Sequence, residues 1–201
     1  MPKSPRDRMI ESAAVLMREQ GVEGTSFSDV VVASGAPRGS IYHYFPRGKA
    51  QLIEEATRYG TDFVIARLSA ALEKADTAAA VRTFGEFYGQ VLRDSDFGAG
   101  CPVLAAALEG ERSADARDAA GRGFEEWERL IAQGLTRDGV ARKQAAQLAT
   151  LIVSSLEGAV VLSRAQRSGA PLERVLDQIE ALIVGAVGGQ SRKPPRMRQK
   201  R

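Results

Sequence analysis

Apolar residues recur every three to four positions along almost the whole chain, and stretches of strict alternation are scarce, so the pattern predicts an all-α protein. Ser4 and Pro5 mark a helix start, Ile10, Ala13, Ala14 and Met17 form its buried stripe, and Gly21 ends it. Ser26 and Asp29 have the spacing of a capping box, opening a helix through Val30, Val31, Val32 and Ala33 that Gly35 closes. Pro37, with its fixed φ, suits a first helical position, so a third helix is predicted from there to about Phe45, with Ile41 and Phe45 facing inward. A longer helix over 49–72 carries Leu52, Ala56, Tyr59, Phe63 and Leu68, and links the first three to everything downstream. Further helices are expected at about 78–93, 101–109, 116–135, 142–166 and 171–187, making about nine in all.

Two short helices joined by a tight glycine turn are the layout of a helix-turn-helix, a structure that lays its second helix in the DNA major groove. Gly39 fits that reading, because a residue costing roughly 1 kcal/mol against alanine inside a short helix leaves room for something bulky at the backbone. Residues 1–48 are therefore expected to form a three-helix DNA-binding head, and 49–190 a helical body.

Charge supports the division. Residues 1–50 hold 7 basic and 5 acidic side chains, and 51–190 hold 15 and 20. Residues 191–201 hold 6 basic and no acidic ones, and with two prolines and no apolar period they read as a disordered basic tail able to add nonspecific DNA affinity. One cysteine and one histidine exclude an intramolecular disulfide and argue against a zinc site, so no metal or cofactor is expected. The N-terminus enters an amphipathic helix with no secretory signal, and the apolar run 149–162 is short for a bilayer and carries Glu157. The expectation is a cytoplasmic protein with no membrane partner.

The segment from Ser26 through Ser34-Gly35 to Tyr42-His43-Tyr44-Phe45, followed by Pro46 and Lys49, resembles the DNA-binding domain of the TetR family of bacterial transcription regulators. Two features depart from the commonest form: Tyr44 stands where histidine is usual, and Arg47-Gly48 lengthens the link to the lysine. The longer link, the segment Gly100-Cys101-Pro102-Val103, Glu109 after it and Trp127 in the next helix resemble the LmrA/YxaF-like subgroup. The resemblance implies a homodimer formed by the last two helices, a near-palindromic double-stranded operator, and a small-molecule effector held among the middle helices of a ligand-binding and dimerisation domain. It makes the chain a ligand-responsive repressor. An activator or DNA-organising protein on the same fold is the alternative, and a dimer that has lost DNA recognition a further one. An enzyme using Glu109 and Glu111 is disfavoured by the missing phosphate loop and the lone histidine and cysteine.

The candidate DNA contacts are Thr25, Ser26, Pro37, Arg38, Gly39, Ser40, Tyr42, His43 and Lys49. Arg38 suits a base edge or a phosphate, Ser40 and Tyr42 have hydroxyls that reach phosphates, and His43 sits among aromatics on the same helix. Tyr42 serves equally well as partial core. Thr25 and Ser26 stand where helix amides and dipole suit an anion, although capping alone explains them. Lys49 is a phosphate clamp by resemblance. Phe63, Phe84, Tyr88, Phe124, Trp127 and Glu157 are candidate ligand-binding residues on the same ground, whereas helical spacing alone makes the aromatics ordinary core. The helix over 171–187 is amphipathic with one wide apolar face, and that over 142–166 is apolar on more than one face and needs cover on two sides, so Leu156, Val160, Leu172, Leu176, Ile179 and Ile183 are assigned to a four-helix dimer interface. Glu157 and Arg164 are expected to form a buried ion pair, and Cys101 has no second cysteine to resolve an oxidised form.

Overall fold

The computed structural model describes residues 3–190 except Arg38, Ser40, Glu111 and Arg112. The tail 191–201 and the candidate residues Arg38, Ser40 and Glu111 thus lie outside the described residues. The described chain is helical: α1 (Pro5–Gly24), α2 (Phe27–Ser34), α3 (Ile41–Tyr44), α4 (Lys49–Leu72), α5 (Thr77–Asp94), α6 (Pro102–Ala107), α7 (Ala114–Arg137), α8 (Arg142–Gln166) and α9 (Ala170–Gln190).

Local chemistry explains the ends. Ser4 Oγ accepts the Asp7 N–H at 3.1 Å, with Pro5 at the first helical position. Gly21, at φ +75°, interrupts α1, and the chain makes one further turn before Thr25. In α2 the capping box is complete: Ser26 Oγ accepts from Asp29 N–H and the Asp29 carboxylate accepts from Ser26 N–H, both at 3.2 Å. Gly35 closes it in the left-handed region at φ +63°. The third helix begins later than proline placement predicts. Among the described residues regular α geometry is confined to Ile41–Tyr44, and Gly39 sits in a 3₁₀ turn, as its poor helix propensity allows.

The larger apolar cluster runs from Met9, Met17, Val30 and Phe45 in the first helices, through Leu52 and Ile53, to Trp127, Ile152 and Ile183, and a smaller one joins Leu92, Ala159, Val160, Leu172 and Leu176. Helix α4 is the spine of the larger, packed on α1, α5, α6 and α7. The approach of α7 is close because Gly123 faces Thr61, where a Cβ would lie 2.3 Å from Thr61 Oγ1. Trp127 Nε1–H donates to the Thr61 carbonyl at 3.2 Å across the same contact. Helix α8 lies against α7 and α9, and α9 also covers α5, where Leu176 fills the space above Gly85. By length and composition α8 is apolar enough to cross a bilayer, longer than the 149–162 run counted above. Here its Ala145, Ala149, Ile152 and Val153 are packed inside the protein.

The dimer assignment changes at this level. Val160, Leu172, Leu176, Ile179 and Ile183 are buried within the chain and Leu156 packs partly buried beside them, so none of the six forms an outward face. The apolar side chains of α8 and α9 left outside are Leu151, Val161, Leu162, Leu182 and Val184, each more than 40% exposed. Which stripe of a broadly apolar helix turns inward is decided by its neighbours, and α5 with its glycines takes the stripe carrying Leu172 and Leu176.

Candidate functional site

The first candidate region is the outer surface of α1 to α3. Ile41 and Phe45 anchor α3 in the core, and this leaves Tyr42 and His43 facing solvent. Tyr42 is 69% exposed, its ring edge-on to Phe27 at 5.5 Å, which resolves its role in favour of the surface. His43 meets Tyr44 at 5.4 Å. Pro37 and Gly39 are exposed, and a Cβ at Gly39 would meet nothing of this chain within 4 Å, so no internal packing requires a glycine there. Lys49 opens α4 and its Nζ reaches the Glu23 carbonyl at 3.3 Å, which brings the start of α4 against the end of α1.

Two candidates are differently placed. Thr25 is buried and its hydroxyl donates to the Gly21 carbonyl at 2.8 Å, so its side chain caps α1 and does not face outward. Ser26 is engaged with Asp29, whose carboxylate occupies the N-terminus of α2. Backbone amides near that helix start, and not these hydroxyls, are what the surface offers to an anion there.

The second region is a partly open cavity of about 210 Å³ lined by α1, α4, α5, α6, α7, α8 and α9. Phe63, Phe84, Tyr88, Trp127 and Glu157 line it. Phe124 does not: it stands behind the wall, edge-on to Trp127 at 5.2 Å. Phe63 marks an edge, being 38% exposed and stacked with Arg67 at 4.7 Å from its ring centre.

Sequence reasoning missed the contribution of α1. Glu11, Ala14, Val15 and Arg18 form one wall, at spacings of three, one and three residues along a single helical face. Tyr59 joins them, one turn before Phe63, and its hydroxyl donates to Glu11 at 3.2 Å. The missed signal is that α1 carries two apolar faces, one for the head's core and a second for this cavity.

The cavity is mostly apolar, and its polar groups are perturbed. Glu157 Oε2 is inaccessible to solvent and has no hydrogen-bond partner. Burial raises its carboxyl to about 7, the Cys101 thiol donating to it being the one opposing influence. Burial, reinforced by Glu157, pushes Cys101 well up and holds it as a neutral, unreactive thiol. Tyr88 is pushed well up chiefly by burial, and its hydroxyl donates to the Gly100 carbonyl at 2.6 Å. The expected ion pair of Glu157 with Arg164 is not formed. Arg164 instead donates to the backbone carbonyls of Arg18, at 3.0 Å, and of Glu19. Among the described residues no cluster of His, Cys, Asp and Glu is arranged to hold a metal.

Residues 9–56 match the family model for bacterial regulatory proteins of the tetR family, and 77–178 match that of the C-terminal domain of LmrA/YxaF-like transcriptional regulators. The chain belongs to the TetR family. It is a helix-turn-helix DNA-binding transcriptional regulator of the LmrA/YxaF-like subgroup. It is similar to the HTH-type transcriptional regulator Rv0196 of Mycobacterium tuberculosis, 40% identical over 94% of this chain and 100% of that protein. The HTH-type transcriptional repressor DhaR of a Mycobacterium species is 26% identical over 91% of this chain and 95% of its own. Among solved structures, a TetR regulator from Legionella pneumophila has a TM-score of 0.81 at 22% identity, covering 90% of this chain and 98% of that one. A cysteine-substituted CifR, a TetR-family regulator crystallised with 26 bp of double-stranded operator DNA, has a TM-score of 0.71 at 23% identity, covering 92% and 99%. These two likenesses are of fold.

Proposed function

We propose that this TetR-family regulator is a cytoplasmic homodimeric repressor that leaves a near-palindromic operator when a small molecule fills the cavity. The observation that carries the reading is the shared wall: Glu11, Ala14, Val15 and Arg18 of α1 border the cavity, while α1 also packs on α2 in the head. A ligand there touches a helix of the head directly, and α4 supplies a second route through Tyr59, Gly60, Phe63 and Val64. Release requires that the ligand bind the DNA-releasing arrangement more tightly than the DNA-bound one. Two recognition helices must fall about 34 Å apart to enter successive major grooves, so a small tilt of each head loses register.

On this reading Tyr42, His43 and Lys49 contact the DNA backbone, joined by Arg38 and Ser40 from the sequence. Leu151, Val161, Leu162, Leu182 and Val184 meet their copies in the dimer. The name of DhaR as a repressor supports the direction of regulation, and the CifR complex supports the use of the head.

The test is a titration with the DNA upstream of the protein's own gene against a scrambled duplex at fixed salt. Selective binding that Tyr42→Ala with Lys49→Ala removes, with the dimer intact, is the expected result. Undiminished binding by that double variant overturns the assignment of the DNA face.

A further inference from the structure

Among the described residues Glu157 forms no ion pair. Its Oε2 is buried without a partner, and the neighbouring Cys101 thiol only partly offsets the effect of burial. Arg164, on the same face of α8 two turns on, is committed to the carbonyls of α1. Arg18 also lines the cavity, its Nε buried without a hydrogen-bond partner, and its charge opposes the rise at Tyr88. The titratable or charged groups facing the space are Glu11 and Arg18 from α1, Tyr59 from α4, Tyr88 from α5, Cys101 at the start of α6 and Glu157 itself, while α7 and α9 present Trp127, Ile131 and Leu172. Glu11 is paired with Lys3 at 2.6 Å, so among the described residues Glu157 and Arg18 are the lining charges without an ion pair, in a chamber whose other walls are apolar and aromatic.

We propose that this cavity, read above as the effector site, takes a lipophilic organic cation, its ammonium set beside the Glu157 carboxyl and its apolar body against Tyr59, Phe84, Tyr88 and Trp127. Aromatic faces attract a desolvated cation through their quadrupoles, and a buried carboxylate gains most from a partner that arrives with opposite charge. The cavity, at about 210 Å³, is many times the space one water needs and accommodates a ring with a quaternary head group. In the empty protein Glu157 is partly protonated near neutral pH; cation binding sends that proton to solvent and leaves a carboxylate against the ammonium.

Trp127 is the chain's single tryptophan and lines the cavity, so its fluorescence reports occupancy. The probes are benzyltrimethylammonium, whose charge does not titrate, and its uncharged carbon isostere neopentylbenzene. At pH 8 the cation is expected to bind about tenfold more tightly than the isostere. Glu157→Gln abolishes that preference and keeps isostere binding. In the unsubstituted protein, cation affinity falls about tenfold from pH 8 to 6, as a carboxyl titrating at about 7 takes up its proton, while isostere affinity does not fall. That profile decides the matter even if the variant does not fold.

Equal or tighter binding of the isostere, flat in pH, overturns the cation class and leaves the cavity as a ligand site. If neither probe moves Trp127 fluorescence, the proposal fails and the effector reading of this cavity fails with it.

Discussion

Arg164 of α8 grips the backbone of Arg18 in α1, its guanidinium donating to the Arg18 carbonyl at 3.0 Å and also to that of Glu19. The Gly100 N–H donates to the same Arg18 carbonyl at 2.7 Å, and the Tyr88 hydroxyl donates to the carbonyl of Gly100 at 2.6 Å. The end of α1 is therefore tied to α8, to the loop before α6 and to α5, all of which border the cavity. Helix α4 is the link between head and body expected from the sequence. The hydrogen bonds add a second connection that joins the cavity walls to the head without passing through α4.

Arg164→Met keeps an unbranched apolar stem and removes both charge-assisted bonds to α1. Hydrogen bonds from charged donors contribute about 1.5–3 kcal/mol each when buried, and these are partly solvated, so a stability loss of about 1–2 kcal/mol is expected. Operator affinity should respond less to effector than in the parent protein. Chemical denaturation gives the first quantity, and operator titration with and without effector gives the second.

Two glycines separate a packing requirement from a DNA requirement. Gly123→Ala drives a methyl to 2.3 Å from Thr61 Oγ1 between α4 and α7, and overpacking of that kind costs about 1–3 kcal/mol. Gly39→Ala meets open space, so it leaves stability unchanged or raises it by up to about 1 kcal/mol through helix propensity. Its expected effect is on DNA alone, as a loss of operator affinity. Thermal melting beside operator titration of both variants checks the contrast, and full operator affinity in Gly39→Ala would show that no strand approaches there.

Much of the head was legible because its determinants are local. Ser26 and Asp29 stand three apart, Gly35 follows the last turn of α2, and these chain neighbours decide the ends whatever else packs nearby. The body was legible in its helices and less so in their orientation. Leu172 and Leu176 belonged to an apolar stripe that suited either a partner or the protein's own core, and Gly85 and Gly89 on α5, far away in sequence, settled it. Arg164 and Glu157 share a helix face at a spacing of seven, which suggested pairing, but the long arginine reaches across to α1. The sequence places Tyr59 on its helix but not in the cavity, and Arg18 in neither, because membership of a cavity depends on seven helices converging.

Stability should depend on pH through Glu157. An ordinary glutamate titrates at 4.5 and this one at about 7 in the folded protein, so between those values the folded state holds a proton that the unfolded state has released. Stability then falls as pH rises through that window and is constant above it, by about 3 kcal/mol at most for a shift of this size. Glu157→Gln carries no titrating group. Its gain over the parent protein should be small near pH 4.5 and grow to its full value by pH 8. Urea denaturation of both proteins at the two pH values tests the sign, since an equal difference at both would place the titration elsewhere.

The buried and exposed stripes of the last two helices predict opposite consequences for assembly. Leu176 fills the space above Gly85 inside the protomer, and its truncation to alanine leaves a cavity costing about 2–5 kcal/mol. That loss should appear in the melting of the protein at any concentration. Leu182 and Val161 are half exposed and lie on the outer faces of α9 and α8, so Leu182→Glu with Val161→Asp removes little from the protomer's own core. In a dimer, however, the pair brings like charges together in an apolar interface across a two-fold axis, where burying unpaired carboxylates is prohibitive. Sedimentation velocity should show the double variant as a folded monomer with weak operator binding, because one head engages one half-site alone. A double variant that remains dimeric would move the interface off this face, and with it the outward assignment of Leu151, Leu162 and Val184 to the partner.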